Sequence, residues 1–145
     1  MRSTMKALLL AALVAILVPG CLSETDSDVG VPPGIVTGTI HYDGVAAGPG
    51  RPLAIAVYGT FPPSGPPVRA TLIDTYEFPV RFSFDNLSEG TYYVGALIDV
   101  DRADRRYAGM LNPELDPYGY AGDGAPVVVG PTAGVGGLAI QMVDP

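Results

Sequence analysis

The sequence predicts one all-β domain, a single antiparallel β-sandwich of about seven strands over residues 35–145. Three observations carry this expectation. Apolar residues alternate with period two through most of the chain beyond residue 35. Nineteen glycines and fifteen prolines cut that alternation into short runs, which suits turns between strands and opposes long helices. Beyond the first twenty residues, no window presents a convincing apolar face at helical spacing.

The elements follow in chain order. Residues 35–42 ("IVTGTIHY") form a first strand, closed by the turn dipeptide Asp43-Gly44. In residues 53–58, Leu53, Ile55 and Val57 alternate with Ala54, Ala56 and Tyr58. The segment "FPPSGPP" (61–67) forces a loop, and residues 68–75 supply a third strand. Val80, Phe82 and Phe84 alternate with Arg81, Ser83 and Asp85 in a fourth. The strongest pattern is residues 91–100 ("TYYVGALIDV"), with Tyr92, Val94, Ala96, Ile98 and Val100 on the face expected to be core. Residues 126–130 and 137–143 complete the set, separated by "GPTAGVGG" (130–137), which reads as a hairpin loop.

Residues 1–34 have a different character. Arg2 and Lys6 precede twelve apolar residues, 7–18 ("ALLLAALVAILV"). That is the layout of a secretory signal, and it is too short for a helix that spans a bilayer, which needs ~20 residues. The run ends in Val18-Pro19-Gly20-Cys21, with the chain's only cysteine. A disulfide has no second cysteine to use, and a thiol nucleophile has no adjacent base. A plain cleaved signal followed by an incidental cysteine is the competing reading. The tetrapeptide resembles the lipobox of bacterial lipoproteins, with Pro19 an unusual occupant of the variable position. The resemblance implies cleavage after residue 20, diacylglyceryl and palmitate-type acylation at Cys21, and membrane anchoring through that lipid. Residues 21–34 then form the lipidated cysteine and a flexible acidic tether. By the same resemblance, Leu22 beside the anchor favours the outer membrane or cell surface.

Loss of residues 1–20 leaves six basic residues against fifteen acidic ones, a net charge of −9. Such a chain repels nucleic acid and anionic lipid headgroups, so nucleic acid is excluded as a partner. The expected state is a monomer, with the membrane as its defined partner and any protein or glycan partner unidentified.

"FSFDNLSEGTYYVGALIDVD" (82–101) resembles the signature of prealbumin-like modules, the group that includes carboxypeptidase regulatory-like domains, Cna B-type repeats and starch-binding-domain-like modules. Leu87, Gly90, Tyr92 and Val94 occupy its turn and central strand, and "GTIHYDG" (38–44) fits its opening strand. The resemblance implies a fold and no single function. Isopeptide cross-linking needs lysine, and none follows Lys6; hydroxyisourate hydrolysis needs several histidines, and His41 stands alone. Sugar stacking without tryptophan would fall to Tyr92, Tyr93, Tyr118 and Tyr120.

The loop after the long strand, "DVDRADRRYAGMLNPELDPYGYAGDG" (99–124), holds the candidate chemistry. Relatives of this fold carry alternating acids and a turn glycine there, which the resemblance associates with calcium. Asp99 and Asp101 match the alternation, Ala103 occupies the third ligand position, and Asp104 stands where the glycine belongs. Asp99, Asp101, Asp104, Asn112, Glu114 and Asp116 together offer the oxygens calcium requires. Arg102, Arg105 and Arg106 lie in the same loop and can neutralise those acids without metal. The broken pattern favours the arginine reading, and calcium stays open beside it. The expected function is that of a non-catalytic, lipid-anchored envelope module that binds, spaces or decorates. No cofactor is required, and calcium is the one candidate. Calcium binding and carbohydrate binding are the alternatives. A small hydrolase using Asp99/Asp101 and Glu114/Asp116 is the enzymatic one, opposed by the absence of a tryptophan-lined cleft and by the arginines.

Overall fold

The computed structural model describes residues 30–75, 77–102 and 110–145. Cys21, most of the tether, Ala103, Asp104, Arg105 and Arg106 lie outside the described residues. The described chain is all-β, built from eight strands in two sheets. They are β1 (Val36–His41), β2 (Leu53–Tyr58), β3 (Arg69–Ile73), β4 (Val80–Phe84), β5 (Gly90–Ile98), β6 (Tyr118–Tyr120), β7 (Val127–Val129) and β8 (Val135–Gln141). The smaller sheet has the order β4-β1-β8, the larger β3-β2-β5-β6, and β7 joins the start of β5. Among the described residues, no helix is long and apolar enough to cross a membrane.

The alternation in the sequence decides which side chains meet between the sheets. Leu53, Ile55 and Val57 of β2, Val94, Ala96 and Ile98 of β5, and Ile40 and Ile140 of the smaller sheet are buried together with Phe82 and Phe84. Each large aliphatic side chain so placed contributes roughly 1.5–3 kcal/mol. Tyr92 and Val100 sit at the margin of this core, partly buried against it.

Two expectations need correction. The sandwich is not wholly antiparallel, because β8 pairs with β1 in parallel, through a register shift between Val36 and Gly38. Period-two alternation specifies the face a residue occupies and is blind to strand direction. The segment before β8 is also not a hairpin loop, since β7 pairs with β5 and β8 with β1. It crosses from one sheet to the other, and the strand begins at Val135, inside the glycine-rich run. One strand is added. β6 is three residues long and sits in a Pro/Gly-rich stretch, too short for its alternation to stand out.

The two poles of the fold differ. β5 has nine residues, so its ends lie roughly 27 Å apart at ~3.4 Å per residue. At its Gly90 end the chain enters the domain: Gly134 N–H donates to Val31 O (2.8 Å) and Leu87 N–H to Gly34 O (3.0 Å). At its Ile98 end lies the acidic loop.

A second polar fastening lies between the start and end of the domain. The buried Tyr42 hydroxyl donates to Asp144 Oδ1 (2.6 Å) and accepts from Ala46 N–H (3.0 Å). Burial, then the bond to Asp144, raises this phenol above its ordinary 10.0. A raised phenol contributes stability that is present below the ordinary value and lost as pH rises through the folded one. Tyr42→Phe is expected to cost about 1–2 kcal/mol near neutrality. Melting curves above pH ~10 should then fall more steeply for the wild type than for the variant.

Candidate functional site

Strand pairing assembles the site. β5 and β6 are antiparallel, with Leu97 opposite Tyr118, and Ile98 N–H donates to Pro117 O (2.9 Å). Continuing the register sets Asp99 opposite Asp116, although seventeen positions separate them in sequence. Asp99, Asp101 and Asp116 each place a carboxylate oxygen in one group, all within 4.8 Å of one another. Asp99 and Asp116 are fully buried, and Asp101 is partly buried.

The three acids have different duties. Asp116 is a fastening: Oδ1 accepts from Val100 N–H (2.9 Å) and Oδ2 from Asn112 N–H (2.8 Å). Asn112 O in turn accepts from the N–H groups of Leu115 and Asp116, which closes the 112–116 turn. Asp101 Oδ2 accepts from Asn112 Nδ2 (2.9 Å). The other oxygen, Asp101 Oδ1, is shut off from solvent and has no hydrogen-bond partner among the described residues. Asp99 Oδ2 lies 3.8 Å from Arg102 Nη1, whose side chain is 44% exposed.

Burial raises the Asp116 carboxyl, and the charges of Asp101 and Asp99 raise it further; the backbone N–H groups of Asn112 and Val100 oppose the rise. Three clustered carboxylates repel one another, and removing them from water costs several kcal/mol per ion unless positive charge is supplied. Among the described residues, Arg102 supplies that charge only from the rim.

The remaining candidates divide. Asn112 is at the site, but through its Nδ2 donor, its Oδ1 being taken by Glu114 N–H (3.3 Å). Glu114 is exposed on the outside of the turn and does not join the group of three. Asp104 lies outside the described residues. Of the acid pairs offered for hydrolysis, both Asp116 oxygens accept from backbone N–H groups, Asp99 is buried and Glu114 is exposed. His41 is exposed at the end of β1.

Tyr118 and Tyr120 flank the buried Gly119 on β6 and point outward from the larger sheet, their rings 6.0 Å apart. The cross-strand register places Tyr120 opposite Gly95 and Tyr58 opposite Tyr93 on that same face. Phe61, from the proline-rich loop, joins them, 5.1 Å from Tyr120 and 5.6 Å from Tyr93. Burial raises the Tyr58 and Tyr120 phenols, and the neighbouring Tyr58 and Tyr118 add to the effect at Tyr120. Tyr92 does not belong to this group, since its hydroxyl donates to Ser88 O (3.0 Å) and its ring lies against the core. Phe61 escaped notice in the sequence because "FPPSGPP" carries a loop signal that hides its aromatic residue.

No family model, no curated protein and no solved structure matches the chain.

Proposed function

We propose that this chain is a lipid-anchored, non-catalytic module of the cell envelope that binds calcium through Asp99, Asp101 and Asp116. The observation that carries the calcium assignment is the convergence of three carboxylate oxygens within 4.8 Å, two of the side chains being fully buried. The shielded Asp101 Oδ1, with no hydrogen-bond partner among the described residues, is the second. Hard oxygen donors at this density suit calcium, and backbone carbonyls and water would complete its six to eight ligands. The cation would supply positive charge that, among the described residues, the site otherwise draws from Arg102. Its role is to lock the β5–β6 connection, with Asp116 already holding both sides.

Anchoring rests on the Cys21 lipobox. The chain enters at the Gly90 end of β5, so the acidic pole is the end of the domain remote from the tether. The two-sheet arrangement with β5 as its long central strand, and the buried Leu87 at its leading turn, support a prealbumin-like assignment.

Two measurements test these statements separately. Cys21→Ser should lose the acyl mass in mass spectrometry and move the chain from the membrane to the soluble fraction; unchanged fractionation would refute the anchor. Equilibrium dialysis against labelled calcium should show one ion per chain, lost in Asp101→Asn. Absence of saturable binding in the wild type would refute the calcium site.

A further inference from the structure

The outer face of the larger sheet should be ordinary solvated surface, yet it is aromatic. Outward positions on β2, β5 and β6 carry Tyr58, Tyr93, Tyr118 and Tyr120, and none of these positions is charged. Phe61, 41% exposed, extends the row. The rings rest on glycines: a Cβ at Gly95 would meet the Tyr120 ring and a Cβ at Gly124 the Phe61 ring. These two rings are thus supported on one side by backbone. The face continues into an open groove of about 310 Å³ lined by Tyr118, Gly119, Tyr120, Asp123, Gln141 and Val143.

From this face we propose a platform for a neutral glycan. Pyranose rings present flat arrays of C–H groups, which stack on aromatic faces, and hydroxyls at their edges, which need partners. Phe61 and Tyr93, their rings inclined by 30°, offer the stacking surface, with Tyr120 standing edge-on to Phe61 at 85° as its flank. Tyr42 and Tyr92 engage their hydroxyls within the protein, whereas no hydrogen bond among the described residues holds those of Tyr58, Tyr93, Tyr118 and Tyr120. Asp123, held exposed at a φ of 55°, and Gln141 add an acceptor and an amide at the groove's edge. Charge selects among glycans. A chain of net charge −7, or −9 after cleavage, repels uronate and phosphate polymers. The same repulsion opposes a second copy on this face. The platform is separate from the calcium cluster and does not depend on it.

The test is titration calorimetry of the purified full-length chain with cellohexaose, xylohexaose, mannohexaose and maltohexaose, and with hexagalacturonic acid as the acidic control. At least one neutral hexaose should bind saturably, with the acidic one silent, and chelator should leave the affinity unchanged. Phe61→Ala and Tyr120→Ala should each weaken binding about tenfold or more, as truncation of a buried anchor does. Phe61→Leu, which keeps apolar bulk without a ring, should weaken it comparably, and Tyr92→Phe should not. The proposal is overturned if no neutral hexaose binds, if hexagalacturonic acid binds as well, or if the ring variants bind like the wild type. It is equally overturned if sedimentation reveals a dimer that Phe61→Ala dissociates, since the face would then belong to a second copy.

Discussion

Asp116→Ala is expected to lower the stability of the domain by about 2–3 kcal/mol, two unpaired buried donors partly offset by relief of carboxylate repulsion, measured by denaturant unfolding in the presence of chelator. The side chain is fully buried and each of its oxygens accepts one backbone N–H, from Val100 and from Asn112. Hydrogen bonds to a charged group contribute ~1.5–3 kcal/mol each, and their loss leaves buried donors unpaired. These two bonds tie the end of β5 to the 112–116 turn, so the damage should spread into the β5–β6 pairing. Asp116→Asn keeps one acceptor oxygen and should cost about half as much. Glu114→Ala, two residues away and exposed, should stay within ~0.5 kcal/mol of the wild type. A cost below ~1 kcal/mol for Asp116→Ala would show that the turn is held by something else.

The same residue gives a pH signature. Its carboxyl is raised by burial and by its acidic neighbours, so the folded chain holds this proton more tightly than the unfolded chain. The stability due to that difference is present below the ordinary carboxylate value of 3.8 and lost as pH rises through the folded one. Calcium requires the deprotonated form, so the benefit it gives should shrink on acidification through the same window.

Much of this arrangement could be read from residues in order. The β2 and β5 patterns placed Ile55, Val57, Val94 and Ile98 in the core because one buried face forces strict alternation. Direction and partner were hidden: nothing in "VGGLAIQ" distinguishes a strand that runs parallel to β1 from one that runs against it. The acidic loop offered six candidate donors along the sequence. Pairing through Leu97 and Tyr118 selected Asp99 and Asp116 from opposite ends of it, and turned Glu114 outward. Asn112 looked like an oxygen ligand, but its structural use is as a donor to Asp101. The aromatic face was only half visible. Tyr118 and Tyr120 announce themselves in "YGY", whereas Phe61 reaches the same place from a distant loop, by a contact no local pattern encodes.

Calcium is expected to raise stability by about 2.7 kcal/mol at a hundredfold excess over Kd, because an ion that binds only the folded state adds RT ln(1 + [L]/Kd). For a domain of this size that is a rise in Tm of roughly 10 °C. The rise depends on Asp101, whose shielded Oδ1 is the donor with least to do in the metal-free protein. Asp101→Asn keeps an oxygen for Asn112 Nδ2 and removes one of three mutually repelling charges. In chelator, therefore, it should be neutral or slightly stabilising. In calcium it should be destabilising by most of the increment, so the sign of its effect inverts between the two conditions.

The most direct measurement is one melting series of wild type and Asp101→Asn, each in calcium at a hundredfold excess over the Kd found by dialysis and in chelator, at neutral pH. The calcium site predicts a wild-type Tm about 10 °C higher in calcium, and an Asp101→Asn Tm that is the same in both buffers. Identical wild-type curves in calcium and chelator would contradict it, and would leave the arginines of the loop as the charges that balance Asp99, Asp101 and Asp116.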